Sequence, residues 1–380
     1  MASSSAISLC GERFKVVYHL TGSEAETRSK AQDICLEQTV ELPDDLVPDG
    51  AIRESVVGRI ESLRGLGSQR FEAVISYAVE TAGCELTQLL NVIFGNISIK
   101  PGIRVERLEL PVSLLQTFKG PRFGRAGLRM LLGIPSRPLL CTALKPMGLS
   151  AQQLADLAYR FALGGIDIIK DDHGLANQPF APYQERVRLC AEAVERANRE
   201  TGRACIYMAN ITAPADHVVT RARLAQEVGV RGLLIAPGLT GLDVMRQLAD
   251  LDDLALPIMS HPAFQGSFVT SPDQGIAPYV LFGQLARLAG ADATIYPNYG
   301  GRFSFSRDVC QSIVEGTLVP MGEIKPIFPT PGGGMSLERV PEMLDLYQRD
   351  VVFLIGGGLL RHSPDIVENC RYFLKLVEHY

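Results

Sequence analysis

"GGIDIIKDDHGLANQPF", residues 164–180, decides how the rest of the chain is read. A mostly apolar run, Ile166 to Ile169, stops abruptly at Lys170, Asp171, Asp172 and His173. Strands buried on both faces read as continuous apolar sequence, so four polar groups at one end mark a strand tip with chemical work to do. Successive strand residues face opposite sides, so Lys170 and Asp172 point one way and Asp171 the other.

Moving outward, the same rhythm repeats. Apolar runs end in polar, Gly or Pro residues and are followed by helical segments: "PLLCTAL" (138–144), "IDIIK" (166–170), "CIYMAN" (205–210), "GLLIAP" (232–237), "LPIMSH" (256–261), "ATIYPN" (293–298), "PIFPT" (326–330) and "VVFLIGG" (351–357). Strands alternating with helices predict a parallel sheet covered by helices, and eight such units predict a (β/α)8 barrel over residues 126–380. An open doubly wound sheet is the alternative; the count of eight and the lack of G-x-G-x-x-G after the first strand favour the barrel. Residues 1–125 mix short strands and helices: "RFKVVYHL" (13–20) alternates as a strand does, "EAETRSKAQDICLEQ" begins a helix, "RFEAVISYAVE" (70–80) is strand-like, and "ELTQLLNVIFGNISI" has helical period until Gly95. They predict a smaller α+β domain.

The bulk properties narrow the function. The 380 residues are 46% apolar and 21% charged with a net charge of −5, which gives no basic field for nucleic acid or an anionic membrane. No apolar run approaches the roughly 20 residues of a membrane helix. The start "MASSSAISLCGERFKVV" has no basic segment followed by an apolar one, and the eight cysteines are scattered without a C-x-x-C pair. These features predict a cytoplasmic protein with reduced thiols.

A barrel carries its active site at the C-terminal ends of its strands. Lys145, then Lys170 to His173, Asn210 and His261 stand at those ends, with Gly332–Gly334 after the seventh strand and Gly356–Gly358 after the eighth. Two glycine runs at those positions predict a backbone cradle for a phosphate, although glycines also serve simply to turn tight corners. Asp and His donors suit a divalent cation such as Mg2+. Lys170 cannot ligate as an ammonium; it either pairs with Asp172 as a structural ion pair or is converted to an anionic carbamate.

"CTALKPMGLS" (141–150) followed by "GGIDIIKDDHGLANQPF" resembles the large subunit of ribulose bisphosphate carboxylase (RuBisCO), and more closely the RuBisCO-like proteins, which keep the fold without fixing CO2. "LEQTVELP" and "FGNISI" extend the resemblance into the first domain. It implies a ferredoxin-like N-terminal α+β domain followed by the barrel, and an antiparallel homodimer, or a higher multiple of dimers, whose site joins one subunit's barrel to its partner's N-terminal domain. By the resemblance Lys170 is the carbamylated ligand of one Mg2+ per site, Asp172 is the ligating aspartate, and His173 replaces a ligating glutamate. Lys145 handles protons, His261 matches the histidine ending the fifth strand, and Glu37 and Asn96 are the partner's contributions. Gly332, Gly333, Gly356 and Gly357 match the phosphate cradle. Lys100 is a second candidate base, or a loop charge; Asn210 hydrogen-bonds within the mouth.

Departures from the family pattern exclude carboxylation from the expectations. "KPMGLS" lacks the second lysine of the RuBisCO "KPKLGLS" pattern and has Met147 there; Pro262 follows His261 where RuBisCO has an arginine; "YPNYGGRFSFS" lacks the mobile-loop lysine. A cation that polarises a carbonyl and a base that removes the adjacent proton remain, which is enolisation of a small phosphorylated sugar. The first expectation is an isomerase of the 5-methylthioribulose 1-phosphate type. The alternatives are C–C cleavage of the 3-oxo-isoapionate 4-phosphate transcarboxylase/hydrolase type, the 2,3-diketo-5-methylthiopentyl-1-phosphate enolase, which keeps the glutamate, and a non-catalytic binding protein.

Overall fold

The strand that opens the sequence reading spans Ile168–Asp171 and is buried throughout. In the computed structural model, which describes residues 9–303 and 305–379, it is the second of eight parallel strands. Part of the N-terminal stretch read for a secretory signal lies outside the described residues. The strands are Leu139–Leu144, Ile168–Asp171, Ile206–Asn210, Gly232–Ile235, Ile258–Ser260, Ala293–Pro297, Phe328–Gly332 and Val352–Leu354. Hydrogen-bonded neighbours follow the order seventh, sixth, fifth, fourth, third, second, first, eighth. The eighth pairs with the first from Val352 opposite Leu139 to Leu354 opposite Cys141. Packing joins the seventh to the eighth: a Cβ on Gly332 would lie 3.1 Å from the Leu354 side chain. All eight apolar runs form strands, and the arrangement is that of a TIM-like barrel.

The period of two organises its interior. Cys141, Ile168, Met208, Met259, Ile295 and Phe328 share one buried core. Two residues beyond the inward Ile168 stands Lys170, then Asp172; beyond Met208 stands Asn210; beyond Met259 stands His261. The alternation that packs the core therefore also aims these side chains at the mouth. At the other end, buried aspartates tie strands together. Asp167 accepts two 2.7 Å bonds from the Arg137 guanidinium and one of 2.7 Å from the Leu140 N–H. That explains a carboxylate inside an otherwise apolar run. The helix Ala151–Leu163 starts directly after the first strand's short loop, through a capping box in which Ser150 and Gln153 exchange side-chain-to-backbone bonds.

The first domain forms β1 (Arg13–Thr21), the helix Glu24–Glu37, β2 (Arg59–Gly67), β3 (Arg70–Ala78), the helix Leu86–Phe94 and β4 (Ile103–Glu109). Its antiparallel sheet runs β4-β1-β3-β2, the ferredoxin-like order, and the two-residue strand Gly275–Ile276 adds to β4. The chain divides into two compact units. One takes residues through Phe118 with Gln265–Gln284 and Pro320–Ile324, and the other takes the remainder. Among the described residues, no helix is long and apolar enough to cross a membrane.

Candidate active site at the barrel rim

Lys170 is 2% exposed, and its ammonium donates to the Asp171 carbonyl at 3.0 Å. Burial lowers its pKa against the opposing pull of Cys141 and Asp172. The ion pair on Asp172 comes from the neighbouring strand instead. Lys145 Nζ lies 3.1 Å from Asp172 Oδ1, and His173 Nδ1 lies 3.6 Å from the same oxygen. Burial alone would raise the Asp172 pKa. The His173 hydrogen bond and the charges of Lys170 and Lys145 outweigh it and hold the carboxyl far below the usual range.

His261 stacks on His173 with ring centroids 4.3 Å apart and planes 15° apart. The Ala263 N–H donates to His261 Nδ1 at 3.1 Å, which puts the proton of the neutral ring on Nε2. Burial first, then the Lys170 charge, depresses its pKa and keeps the ring neutral. Its Nε2–H is therefore a hydrogen-bond donor.

Asp171 faces the other way and is fully buried. It accepts from Arg186 Nε (3.3 Å), the Tyr207 hydroxyl (2.8 Å) and the Asn210 N–H (3.0 Å). Arg186 also donates to the carbonyls of Ala176 and Ala181, each at 2.9 Å. The Asn210 amide donates to the carbonyls of His173 (3.0 Å) and Leu175 (2.9 Å). The segment carrying Asp172 and His173 is thus tied from below at several points. Arg186 and Tyr207 escape the sequence reading. A signal existed for Arg186: it shares the buried face of the helix Tyr183–Thr201 with Val187 and Cys190, and a charge there requires a buried partner.

The glycine runs divide in role. A Cβ on Gly333 would sit 2.9 Å from the Phe303 ring, and one on Gly334 would sit 2.8 Å from the Arg302 nitrogen, so both permit close approach of the loop after the sixth strand. A Cβ on Gly356 would lie 3.8 Å from Lys145 Cε, and one on Gly357 would meet nothing within 4 Å. Met147 and the Asp172 carboxylate both approach Gly174: a Cβ there would lie 2.7 Å from Met147 Cε and 3.6 Å from Asp172 Oδ2.

In the other unit, Asn96 donates to Glu37 at 3.0 Å and to Glu41 at 3.1 Å. Lys100 pairs with Asp33 and lies 3.9 Å from Glu37. The three candidates there form one cluster, while Lys145, Lys170, Asp172, His173 and His261 form another in the barrel. Among the described residues, no three His, Cys, Asp or Glu side chains converge to hold a metal. With the His261 Nδ1 taken by the Ala263 N–H, the barrel cluster leaves the Asp172 carboxylate and the His173 imidazole as donors, so a third protein donor requires the Lys170 amine to become a carbamate. The donor set then fits a divalent cation, because the conversion removes one positive charge and adds one negative charge beside Asp172.

Comparison with known proteins places this geometry in a family. Residues 125–369 match the model of the ribulose bisphosphate carboxylase large chain, catalytic domain. The 5-methylthioribulose-1-phosphate isomerase of Rhodospirillum rubrum is 39% identical over 367 residues, covering 96% of each chain. The 2,3-diketo-5-methylthiopentyl-1-phosphate enolase of Geobacillus kaustophilus is 30% identical over 375 residues, covering 95% of this chain and 91% of the other. The crystal structure of a RuBisCO-like protein from Rhodopseudomonas palustris superimposes with a TM-score of 0.87 at 37% identity, over 97% of this chain and 98% of that one. The chain belongs to the RuBisCO large-chain family, among its RuBisCO-like proteins, and is an enzyme of that kind.

Proposed function

We propose that the protein is an enolising enzyme of methionine salvage, acting on a phosphorylated keto-sugar as a 5-methylthioribulose 1-phosphate isomerase. The observation that carries this reading is the meeting of Lys145, Asp172 and His261 at the mouth of a barrel, without the lysines that carboxylation needs. The 39% identity to the isomerase supports the choice of reaction. The enolase is the second reading, favoured by the 30% relative; His173 in place of a glutamate speaks against it.

The residues divide the work. Lys145, acting as its free amine and not as the ammonium paired with Asp172, removes the proton beside the carbonyl and returns it to the neighbouring carbon. His261, a neutral donor through Nε2–H, hydrogen-bonds the oxygen on which charge develops. Asp172, Lys170 as its carbamate, and His173 would hold a divalent cation, Mg2+ in RuBisCO, which when bound supplies Lewis acidity to a substrate oxygen. Gly332, Gly333, Gly356 and Gly357 hold the phosphate through backbone N–H groups, and Asp171, Arg186 and Asn210 keep the rim in place. The working unit is a homodimer in which Glu37, Asn96 and Lys100 of one copy serve the other's site; sedimentation at twice the chain mass checks it.

The experiment is deuterium exchange from solvent water into 5-methylthioribulose 1-phosphate, followed by NMR with Mg2+ and bicarbonate present. Exchange together with a new ketose phosphate is expected. Carboxylation of ribulose bisphosphate, or no exchange into any keto-sugar phosphate, would refute the proposal.

A further inference from the structure

We propose that His173 makes the cation centre selective for a first-row transition-metal dication of the Mn2+ and Co2+ class over Mg2+. This rests on the reading of Asp172, His173 and carbamylated Lys170 as a cation site. The geometry supports a direct nitrogen bond. Two donors about 2.1 Å from one ion lie roughly 3.0–3.4 Å apart in octahedral or tetrahedral arrangements. His173 Nδ1 and Asp172 Oδ1 are already 3.6 Å apart, so both reach a shared ion with a shift of a few tenths of an ångström. Stacking on His261, at 4.3 Å and 15°, fixes the plane in which the His173 nitrogen points.

His261 does not compete for that role. Its Nδ1 lone pair is taken by the Ala263 N–H, and its Nε2 carries the proton. The nitrogen available to a cation is therefore that of His173. Mg2+ is a hard ion that gains its affinity from oxygen donors and charge, and an imidazole gives it neither an anion nor a preferred atom. Imidazole nitrogen suits the later first-row dications, whose affinities rise from Mn2+ to Co2+ and beyond. Replacing an anionic oxygen by a neutral nitrogen thus weakens Mg2+ and leaves transition-metal dications less affected.

The test titrates the full chain, in bicarbonate buffer, with Mg2+ alone and with Co2+ alone by calorimetry, and records the pulsed EPR spectrum of bound Mn2+. Many sites favour Co2+, so the decisive quantity is the change between variants. His173→Glu is expected to swing the Co2+/Mg2+ affinity ratio toward Mg2+ by at least the roughly tenfold that even outer-shell changes cause at metal sites. Nitrogen couplings on Mn2+ should be present in the wild type, persist in His261→Gln and vanish in His173→Gln. An unchanged ratio in His173→Glu without nitrogen coupling, in a protein whose metal binding is still abolished by Asp172→Asn, overturns the selectivity and leaves the cation site standing. Binding insensitive to Asp172→Asn removes the site itself and the selectivity with it.

Discussion

At the scale of the residue, one carboxylate serves three basic groups. Asp172 meets Lys145 and His173 directly, and Lys170 adds its charge from the buried side. The sequence shows that Lys170 and Asp172 share a face, because strand alternation is local. It does not show that Lys145 takes the carboxylate. That follows from the register between the first two barrel strands, where Leu144 lies opposite Asp171 and so brings Lys145 beside Asp172. If Lys145 carries the proton, Lys145→Met should lower kcat by about 10²–10⁴-fold, the usual worth of a general acid–base group, with a much smaller change in KM. Steady-state rates and the deuterium exchange should fall together. A KM defect with kcat intact would make Lys145 a binding residue only.

At the scale of the element, the buried Asp171–Arg186 pair joins the second strand to the helix that follows it. Burial disfavours the guanidinium charge, but Asp171 more than offsets this and raises the Arg186 pKa. Breaking such a pair strands a charge, so Arg186→Met should destabilise the barrel unit by about 3–5 kcal/mol. Asp171→Asn with Arg186→Met should recover part of the loss, since no buried charge is then left alone. Urea denaturation of the wild type, single and double variants measures both. Full additivity of the two substitutions would show that the pair is not coupled. β2 marks the opposite case, an element the sequence reading passes over. It is largely exposed, and its hairpin turn uses Ser68 and Gln69 at φ 52° and 57°, where Asn-Gly would have announced the turn.

At the scale of the molecule, Asp292 binds elements distant in sequence. Its buried carboxylate accepts from the N–H groups of Phe123 (2.8 Å), Gly124 (2.7 Å) and Ile258 (2.9 Å). Burial raises its pKa from 3.8 to about 6, with the three donors opposing. The native state therefore holds a proton that the unfolded chain has already released. The associated stability is complete below about pH 4 and is lost as the pH rises through about 6, a swing of roughly 3 kcal/mol. The difference in unfolding free energy between the wild type and Asp292→Asn should shrink over that interval. A flat difference from pH 4 to 7 would refute the assignment.

The sequence by itself determined the eight-strand barrel, the presence of a smaller α+β domain and the polar strand tips, because hydrophobic periodicity is local and each strand's alternation fixes which side chains face the barrel interior. Only the tertiary structure decided which lysine meets Asp172, that His261 keeps its proton on Nε2, and that Gly333 and Gly334 admit the loop after the sixth strand. It also decided that Gln265–Gln284 and Pro320–Ile324 join the first unit although they lie between barrel strands in sequence. Strand register, hydrogen-bond partners and packing between distant segments arise only when the chain closes on itself, and no local pattern encodes them.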